Sequence, residues 1–282
     1  MPRKKKEETE EKIPKSPEEI TKERIRLEEK ANLDAWVPKT GLGKKVKNRE
    51  ITDIDSVLDQ GSTILEPEIV DFLLDTQSEL LLIGQSKGKF GGGQRRVFRQ
   101  TQKKTKEGNK PKFTTIAALG DKNWHIGIGL GKAKETVPAR EKAVRKAKMN
   151  IFKIRRGCGS WQCNCKEPHT IPFAVTGKCG SVEITFMPAP KGKGLCAHSE
   201  CAKILELAGV KDIWSTTRGQ AKNRVNLIYA CESALKQLTT LKVQPRFEKE
   251  LSIVDGKIPV KEEKKEETQE KVKKEDGNQT ED

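Results

Sequence analysis

Aromatic residues are scarce in this chain, since phenylalanine, tryptophan and tyrosine make up only 5% of its 282 residues. No regular aromatic series alternates with the basic residues, which argues against binding single-stranded nucleic acid by base stacking. The chain also lacks a run of about 18 apolar residues and the apolar core of a signal peptide. We therefore expect neither a membrane-spanning nor a secreted protein.

Nucleotide-binding and catalytic motifs are missing as well. A P-loop needs Gly-x-x-x-x-Gly-Lys followed by Ser or Thr, but Gly131-Lys132 is followed by Ala133, and the glycines at 127, 129 and 131 do not have the dinucleotide-binding spacing. The three histidines form no nucleophile–base pattern. The sequence therefore predicts a protein that is not an enzyme.

The cysteine count argues against a disulfide framework. There are seven cysteines, an odd number, and three of them lie within 158–165. This usage favours reduced thiols in the cytoplasm.

Basic residues are concentrated in one part of the chain. Positions 84–156 hold 21 lysines and arginines against 4 acidic residues, whereas the whole chain has a net charge of +15, so the remainder is close to neutral. Such a local excess of positive charge indicates contact with a polyanion. The shortage of aromatics favours helical or folded RNA, held through its phosphates and its shape.

A stripe of glycines lies inside this basic part. The segment 120–134 predicts a tight turn that leads into a strand with glycine at every second position, followed by Lys132 and Lys134. A strand face without side chains allows another backbone to approach closely, and the lysines suggest a phosphate chain. We therefore interpret this face as a surface for structured RNA.

The expected fold class is α+β, with two folded units between charged ends. Residues 80–84 and 95–99 predict strands, 101–111 a polar insertion, 113–119 and 125–130 a hairpin, and a helix begins near Thr136, its candidate cap. In the second unit, strands, a turn at 177–180, a helix capped by Ser199 and a helix over 223–238 give the order β-β-α-β-α of an α/β sandwich. The predicted parts are a charged tail 1–35, a basic arm and helix 36–78 with an extended segment 36–44, the units 79–156 and 166–243, a Cys-rich linker 157–165 and a charged tail 244–282.

Two side-chain groups in these elements have alternative interpretations. Lys142, Arg145 and Lys146 share one face of the predicted helix and serve either as RNA contacts or as an ordinary solvated face. Cys158, Cys163, Cys165 and His169 have the spacing C-x4-C-x-C-x3-H and supply the ligand types of a tetrahedral zinc site. The C-x2-C pair of common zinc sites is absent, and thiols at 163 and 165 would point apart on an extended chain. A packed Cys-rich linker without metal is the alternative to a structural zinc ion.

From about 36 to 238 the chain resembles the small-subunit ribosomal protein S5 family, in its archaeal and eukaryotic branch. The resemblance lies in Ile154-Arg155-Arg156-Gly157 and in five further runs that occur in the family's order, at 120–135, 167–173, 175–182, 187–194 and 208–219. It implies an N-terminal domain similar to a double-stranded-RNA-binding domain and a C-terminal α/β domain with a left-handed crossover, against the usual rule. It also implies a structural subunit that binds small-subunit rRNA near the mRNA entry side and the decoding region, contacts mRNA and neighbouring small-subunit proteins, and affects assembly and accuracy.

The resemblance also implies which residues contact RNA. The family's Gly/Lys/Arg loop matches Lys87, Lys89, Gly91, Gly92, Gly93, Arg95 and Arg96. The other predicted RNA contacts are Arg99, Lys122, His125, Lys132, Lys134, Lys142, Arg145, Lys146, Arg155, Arg156, Lys178, Lys191, Lys193 and Arg218. One departure from the family is Trp124, where many members have glycine; it either stacks on RNA or packs locally.

Two other functions compete with this interpretation. One is a free-standing regulator that binds double-stranded RNA. The other is a small-molecule phosphotransferase, because the α/β domain resembles domains of some small-molecule kinases, although fold alone does not determine function.

Overall fold

The computed structural model describes residues 33, 35–86 and 93–255 of the chain. The helices are α1 (Gly41–Lys47), α2 (Ile54–Asp59), α3 (Glu68–Leu73), α4 (Thr136–Met149), α5 (Ser199–Leu207), α6 (Arg224–Thr240) and α7 (Pro245–Glu250). The strands are β1 (Gln77–Leu80), β2 (Arg99–Thr105), β3 (Gly108–Gly120), β4 (His125–Ala133), β5 (Ile151–Lys153), β6 (Arg155–Arg156), β7 (Val175–Cys179), β8 (Val182–Pro188), β9 (Leu195–Cys196), β10 (Ile213–Arg218) and β11 (Val254–Asp255). This mixed content confirms the α+β class.

The first sheet is antiparallel and has the order β1-β3-β4-β5, with β2 pairing along the outer half of β3. The predicted hairpin is therefore confirmed as β3 and β4. The polar insertion predicted at 101–111 forms regular structure, because Thr101 pairs with Lys112 and Thr105 with Gly108 in a continuous β-ladder. Both faces of this ladder are exposed, so no apolar alternation marks it in the sequence.

The second sheet has the order β7-β8-β10-β9, in which β10 is antiparallel to β8 and parallel to β9. The predicted order β-β-α-β-α omits the two-residue strand β9, which precedes α5. The predicted turn at 177–180 is also displaced, because Gly177 to Cys179 continue β7 and the reversal follows at Gly180, which has φ +62°. The apolar stripe of α6 is confirmed: Ile228, Cys231, Leu235 and Leu238 are fully buried.

Both predicted helix caps are shifted by one residue. Glu135 precedes α4 without a side-chain cap, and His198 caps α5 by accepting a hydrogen bond from the Glu200 N–H at 3.1 Å. Gly209 follows α5 with φ +77°, a left-handed position that terminates the helix as its sequence predicts.

Two apolar clusters form the interior. The larger one runs from Leu81 and Ile116 of the first sheet through Ile154 and Ile171 to the α6 stripe, so it joins the two sheets. The smaller one packs the helices of residues 41–73 against Leu119, Ala147 and Ile151. The domain bounds stay a prediction.

The segments flanking the sheets are more structured than predicted. The arm at 36–44 is not extended throughout, because α1 begins at Gly41 after Thr40, whose side chain accepts a hydrogen bond from Gly43 N. The Glu66 carboxylate accepts hydrogen bonds from Lys39 N at 2.9 Å, Thr40 N at 2.6 Å and Trp36 Nε1 at 3.1 Å. These bonds fix the arm against the start of α3.

The predicted C-terminal tail begins with ordered structure. Helix α7 and strand β11 occupy 245–255, and β11 pairs with β6, where Val254 is opposite Arg156 and Asp255 opposite Arg155. The remainder of the predicted tails, 1–32 and 256–282, lies outside the described residues. Within the described ranges, no helix has both the length and the hydropathy to cross a membrane.

Candidate nucleic-acid interface

The glycine stripe of β4 contacts protein and not RNA. A Cβ atom added at Gly127, Gly129 or Gly131 would lie closer than 3.0 Å to backbone atoms of α4, a separation that real Cβ atoms do not reach. The facing helix residues are Ala139, Ala143 and Ala147, all fully buried. The interpretation of this strand face as an RNA surface is therefore wrong: the backbone that approaches is that of α4.

Because α4 packs closely on β4, the opposite side of α4 points away from the sheet and carries cations. Lys142, Arg145 and Lys146 are exposed and lie three or four residues apart, so their side chains are neighbours on the helix. Among the described residues, none of the three forms an ion pair. Because α4 is fixed backbone to backbone on β4, these charges have a rigid base.

The cations at the end of β4 converge on the same region. Lys132, Lys134 and Lys142 line a shallow depression of about 530 Å³ together with Lys112 of β3 and Pro138 of α4. No carboxylate in the described part of the chain pairs with these four ammonium groups, although Glu135 contributes to the lining. We call Lys112, Lys132, Lys134, Lys142, Arg145 and Lys146 the cationic face.

Sequence reasoning missed the exposed lysines of the β2–β3 ladder, which lie in the segment 101–111 that was interpreted as a polar insertion, and it missed Lys112 just after that segment. Lys103 and Lys104 of β2 are exposed, and Arg99 at the start of β2 is exposed as predicted. The run Lys103-Lys104-Thr105-Lys106 was the available signal. These lysines extend the positive charge along the first sheet, which also carries part of the cationic face.

The predicted Gly/Lys/Arg loop is described only at its base. Gly84 N donates to Arg96 O at 2.8 Å and Arg96 N to Gln85 O at 3.1 Å, which closes the loop by backbone pairing. Arg96 and Gly93 are exposed, whereas Arg95 is half-buried and donates weakly to Gly84 O at 3.5 Å. The predicted contacts Lys87, Lys89, Gly91 and Gly92 lie outside the described residues.

His125 is a correction to the predicted RNA contacts, because its side chain is only 1% exposed. Its Nδ1 lies 2.7 Å from Asp121 Oδ2 and its Nε2 2.9 Å from Asp55 Oδ1. Burial opposes the charged imidazole, but the hydrogen bonds and charges of Asp121 and then Asp55 outweigh it and raise the pKa of His125. The ring therefore ties α2 to the β3–β4 turn.

Arg156 is a second correction, since it is 5% exposed and its guanidinium lies 4.0 Å from the centroid of the Trp124 ring. It also donates to the Gly209 carbonyl and, at 3.4 Å, to the Asn123 carbonyl. Burial lowers the pKa of Arg156 to about 10, so the group stays charged at neutral pH. Trp124 is 1% exposed at φ +126°, which resolves its alternatives in favour of local packing.

Two of the remaining predicted contacts, Arg155 and Lys191, are paired with acidic side chains. Arg155 donates to Asp255 at 2.7 Å and to Leu241 O at 2.7 Å, and Lys191 pairs with Glu167 at 2.7 Å. Lys178 and Arg218 are exposed on either side of Glu183, their partner in the strand register. Lys122 and Lys193 are exposed.

The four predicted metal ligands come together. The Sγ atoms of Cys158, Cys163 and Cys165 and a ring nitrogen of His169 all lie within 4.8 Å of one another. Cys165 Sγ is 3.6 Å from Cys158 Sγ, and Cys163 Sγ is 3.7 Å from His169 Nε2. These donor types could hold a soft or borderline metal ion.

Neighbouring groups act differently on two of these thiols. A hydrogen bond from the Lys191 backbone, followed by contacts with Cys165, lowers the pKa of Cys163 to about 6. Burial, followed by the same neighbouring thiol, raises the pKa of Cys158 to about 12. The cluster therefore combines one readily ionised thiol with one whose ionisation needs a nearby positive charge.

Comparison with known protein families matches two regions of the chain. Residues 97–155 match the model described as ribosomal protein S5, N-terminal domain, and residues 177–247 match ribosomal protein S5, C-terminal domain. The matched regions contain the first sheet except β1, together with α4, and most of the second sheet with α6. These two matches place the fold in the class of ribosomal proteins with separate N-terminal and C-terminal domains.

Curated relatives extend the match over most of the chain. The small ribosomal subunit protein uS5 of Nanoarchaeum equitans is 46% identical over 228 residues, which is 80% of this chain and 98% of the relative. The proteins of the same name from Methanocaldococcus jannaschii and Pyrobaculum islandicum are 41% and 42% identical, over 80% and 75% of this chain and 98% of each relative. The chain belongs to the ribosomal protein S5 family.

Proposed function

We propose that this protein is a structural constituent of the small ribosomal subunit that binds small-subunit rRNA through the cationic face. The observation that carries this proposal is the set of exposed lysines and arginines on α4, β3 and β4 for which the described part of the chain supplies no acidic partner. Cations without protein partners are available to neutralise phosphates, and their fixed spacing suits a folded RNA better than a flexible strand.

The curated relatives carry the name small ribosomal subunit protein, which supports the same role for this chain. We infer that the protein works in the cytoplasm on the small subunit, near the mRNA entry side and the decoding region, beside neighbouring small-subunit proteins and mRNA, and that it supports assembly and accuracy. The role is structural and involves no catalysis by this chain.

The finer features of the fold belong to the same proposal. The antiparallel first sheet with α4 across it supports an N-terminal domain similar to a double-stranded-RNA-binding domain, and the parallel pair β9 and β10 around α5 supports the crossover whose left-handed sense the family implies. We infer that the loop at 87–96, which includes Arg96 and whose base is closed by backbone pairing, reaches into rRNA together with Arg99.

Sedimentation of cell extract through a sucrose gradient tests the role. We expect nearly all of the protein to migrate with small subunits and full ribosomes, and to shift to the top of the gradient when the RNA is digested. A mostly free pool would support the alternative, a free-standing regulator that binds double-stranded RNA. A chain that leaves the ribosome only after RNA digestion would exclude that alternative.

A further inference from the structure

We propose that Cys158, Cys163, Cys165 and His169 bind one structural zinc ion, with Asp212 orienting the histidine. The proposal concerns a site apart from the cationic face and does not depend on the ribosomal role. It rests on ligand geometry, on the polar contacts around the histidine and on the poor packing of the loop that carries the thiols.

Two of the ligand separations match those around one tetrahedral zinc ion. With Zn–S bonds of about 2.3 Å and Zn–N bonds of about 2.0–2.1 Å, tetrahedral geometry places ligand atoms roughly 3.5–3.8 Å apart. Two pairs of the cluster lie at 3.6 and 3.7 Å, and all four ligand atoms lie within 4.8 Å of one another. Four protein ligands complete the coordination, so the site has no open position for a reacting water and is structural.

The chain path brings the two thiols at 163 and 165 to the same point. Cys163 N donates to Ser160 O at 3.2 Å in a turn, and Lys166 has a left-handed φ of +52°. The segment is therefore not extended, and the objection that these thiols would point apart does not hold. Gly157 and Thr170 exchange both backbone hydrogen bonds, at 2.9 and 3.1 Å, which brings Cys158 beside His169.

His169 is held in the orientation that a metal ligand needs. Its Nε2 faces Cys163, while its Nδ1 lies 2.8 Å from Asp212 Oδ2. Asp212 is itself buried and its other oxygen accepts a hydrogen bond from Gly194 N at 2.7 Å. A carboxylate behind a metal-bound imidazole fixes its tautomer and increases its affinity for the metal.

The loop that carries the thiols has almost no apolar packing of its own. Trp161 is 88% exposed, and Gln162, Asn164 and Lys166 are exposed as well. Cys163 and Cys165 are half-buried, and neither joins the apolar clusters as a fully buried member. A Cys-rich linker held by packing alone would bury these side chains more deeply, whereas a metal ion supplies the missing local core.

Zinc fits better than other metals. Three thiols and an imidazole are soft or borderline ligands, which disfavours magnesium and calcium. The mutual spacing of the four ligand atoms suits a single ion and leaves no room for the several metal atoms of an iron–sulfur cluster.

Elemental analysis of the purified full chain tests the proposal. Protein expressed with zinc and purified under reducing conditions without chelator should hold about one zinc per chain after gel filtration. Cys163→Ser should lose most of the zinc, whereas Cys196→Ser, which changes an exposed thiol outside the cluster, should keep it. Equal zinc content in these two variants would overturn the proposal, as would a wild-type content far below one equivalent after zinc is added back.

Cobalt titration of the metal-free wild-type chain avoids a variant that fails to fold. We expect the strong visible absorption of a tetrahedral cobalt–thiolate complex, saturating at one equivalent and displaced by zinc. Asp212→Asn should still reach one equivalent but bind about 10–100-fold more weakly, as for other partners of metal-bound histidine. Absence of the cobalt absorption from wild-type protein would leave the packed linker as the correct interpretation.

Discussion

The two sheets hold their helices in contrasting ways. Helix α4 lies on three glycines of β4 and buries only alanines, whereas α6 meets one glycine of β7, Gly177, and buries large side chains such as Leu227 and Leu235. Fully burying a leucine or isoleucine is worth about 1.5–3 kcal/mol, far more than burying an alanine. Helix α6 is therefore held on its sheet mainly by apolar volume, and α4 by the close approach of two backbones.

The two halves also differ in the number of basic and acidic residues. Positions 84–156 contain 21 basic and 4 acidic residues, while positions 166–243 contain 11 basic and 6 acidic residues. In the first half Lys142, Arg145 and Lys146 of α4 form no ion pair within the described residues. In the second half Lys191 pairs with Glu167, and Lys178 and Arg218 lie opposite Glu183 in the strand register. The half whose helix packs backbone to backbone thus carries more of the basic residues, and this close packing fixes the base of α4 beneath its outward-facing cations.

Removing volume from the second half should have the largest effect on stability. Leu235→Ala deletes a fully buried side chain of α6 and leaves a cavity, so we expect the free energy of unfolding to fall by about 2–5 kcal/mol. Urea unfolding of the full chain, followed by circular dichroism, measures this change. A loss below about 1 kcal/mol would contradict the view that α6 is held by apolar volume.

Adding volume to the first half should have a smaller but clear effect. Gly129→Ala places a methyl group against the Ala143 carbonyl and the Ala147 amide, and the strain should cost about 1–3 kcal/mol. Gly41→Ala is the matched control, because no atom lies within 4 Å of its added Cβ. If both variants unfold at the same urea concentration, the backbone contact does not carry the stability of α4.

Local sequence patterns predicted part of the regular structure in both halves, but the strands predicted at 80–84 and 95–99 are displaced, since β1 lies at Gln77–Leu80 and β2 begins at Arg99. The α6 stripe, the β3–β4 hairpin and helix α4 follow from apolar periodicity and turn residues. The β2–β3 ladder was missed because its residues are polar on both faces, and its pairing depends on the register that β3 sets. The glycine stripe indicated a close backbone approach correctly, but the stripe alone does not identify which backbone approaches.

The site was predicted less completely, because burial depends on contacts far apart in the chain. His125 and Arg156 have the residue types of surface cations, yet their partners Asp55 and Gly209 are 70 and 53 positions away. Asp212, which orients His169, is 43 positions away and carries no local motif. The four metal-ligand candidates were identified because they lie within twelve residues.

Neutralising basic side chains in each half tests directly whether the first half carries the charges that bind RNA. The triple variant Lys142→Gln, Arg145→Gln, Lys146→Gln should weaken binding to small-subunit rRNA and reduce the slope of log affinity against log salt by about 0.7–0.9 for each lost phosphate contact. The matched triple Lys178→Gln, Lys193→Gln, Arg218→Gln should change the slope by less. Filter binding at several salt concentrations measures both, and a larger change for the second triple would reverse the assignment of the cationic face.

The pH dependence of folding should show the smallest effect, and it arises from the His125 contacts in the first half. The raised pKa of His125 stabilises the folded state fully below its unfolded value of about 6.5, and this contribution is lost as the pH rises through the higher folded value. The pKa of Asp121 shifts in the opposite direction. Burial raises its pKa, but His125 outweighs burial and lowers it, so its contribution is lost only as the pH falls through the lowered value.

The stabilising contributions of His125 and Asp121 are both present between about pH 4 and 6.5. We therefore expect the difference in unfolding free energy between wild type and His125→Gln to be largest near pH 5–6 and to shrink as the pH rises toward 9. Urea unfolding at matched ionic strength across this range measures the difference. A difference that stays constant from pH 5 to 9 would show that His125 contributes only as a packed, neutral ring.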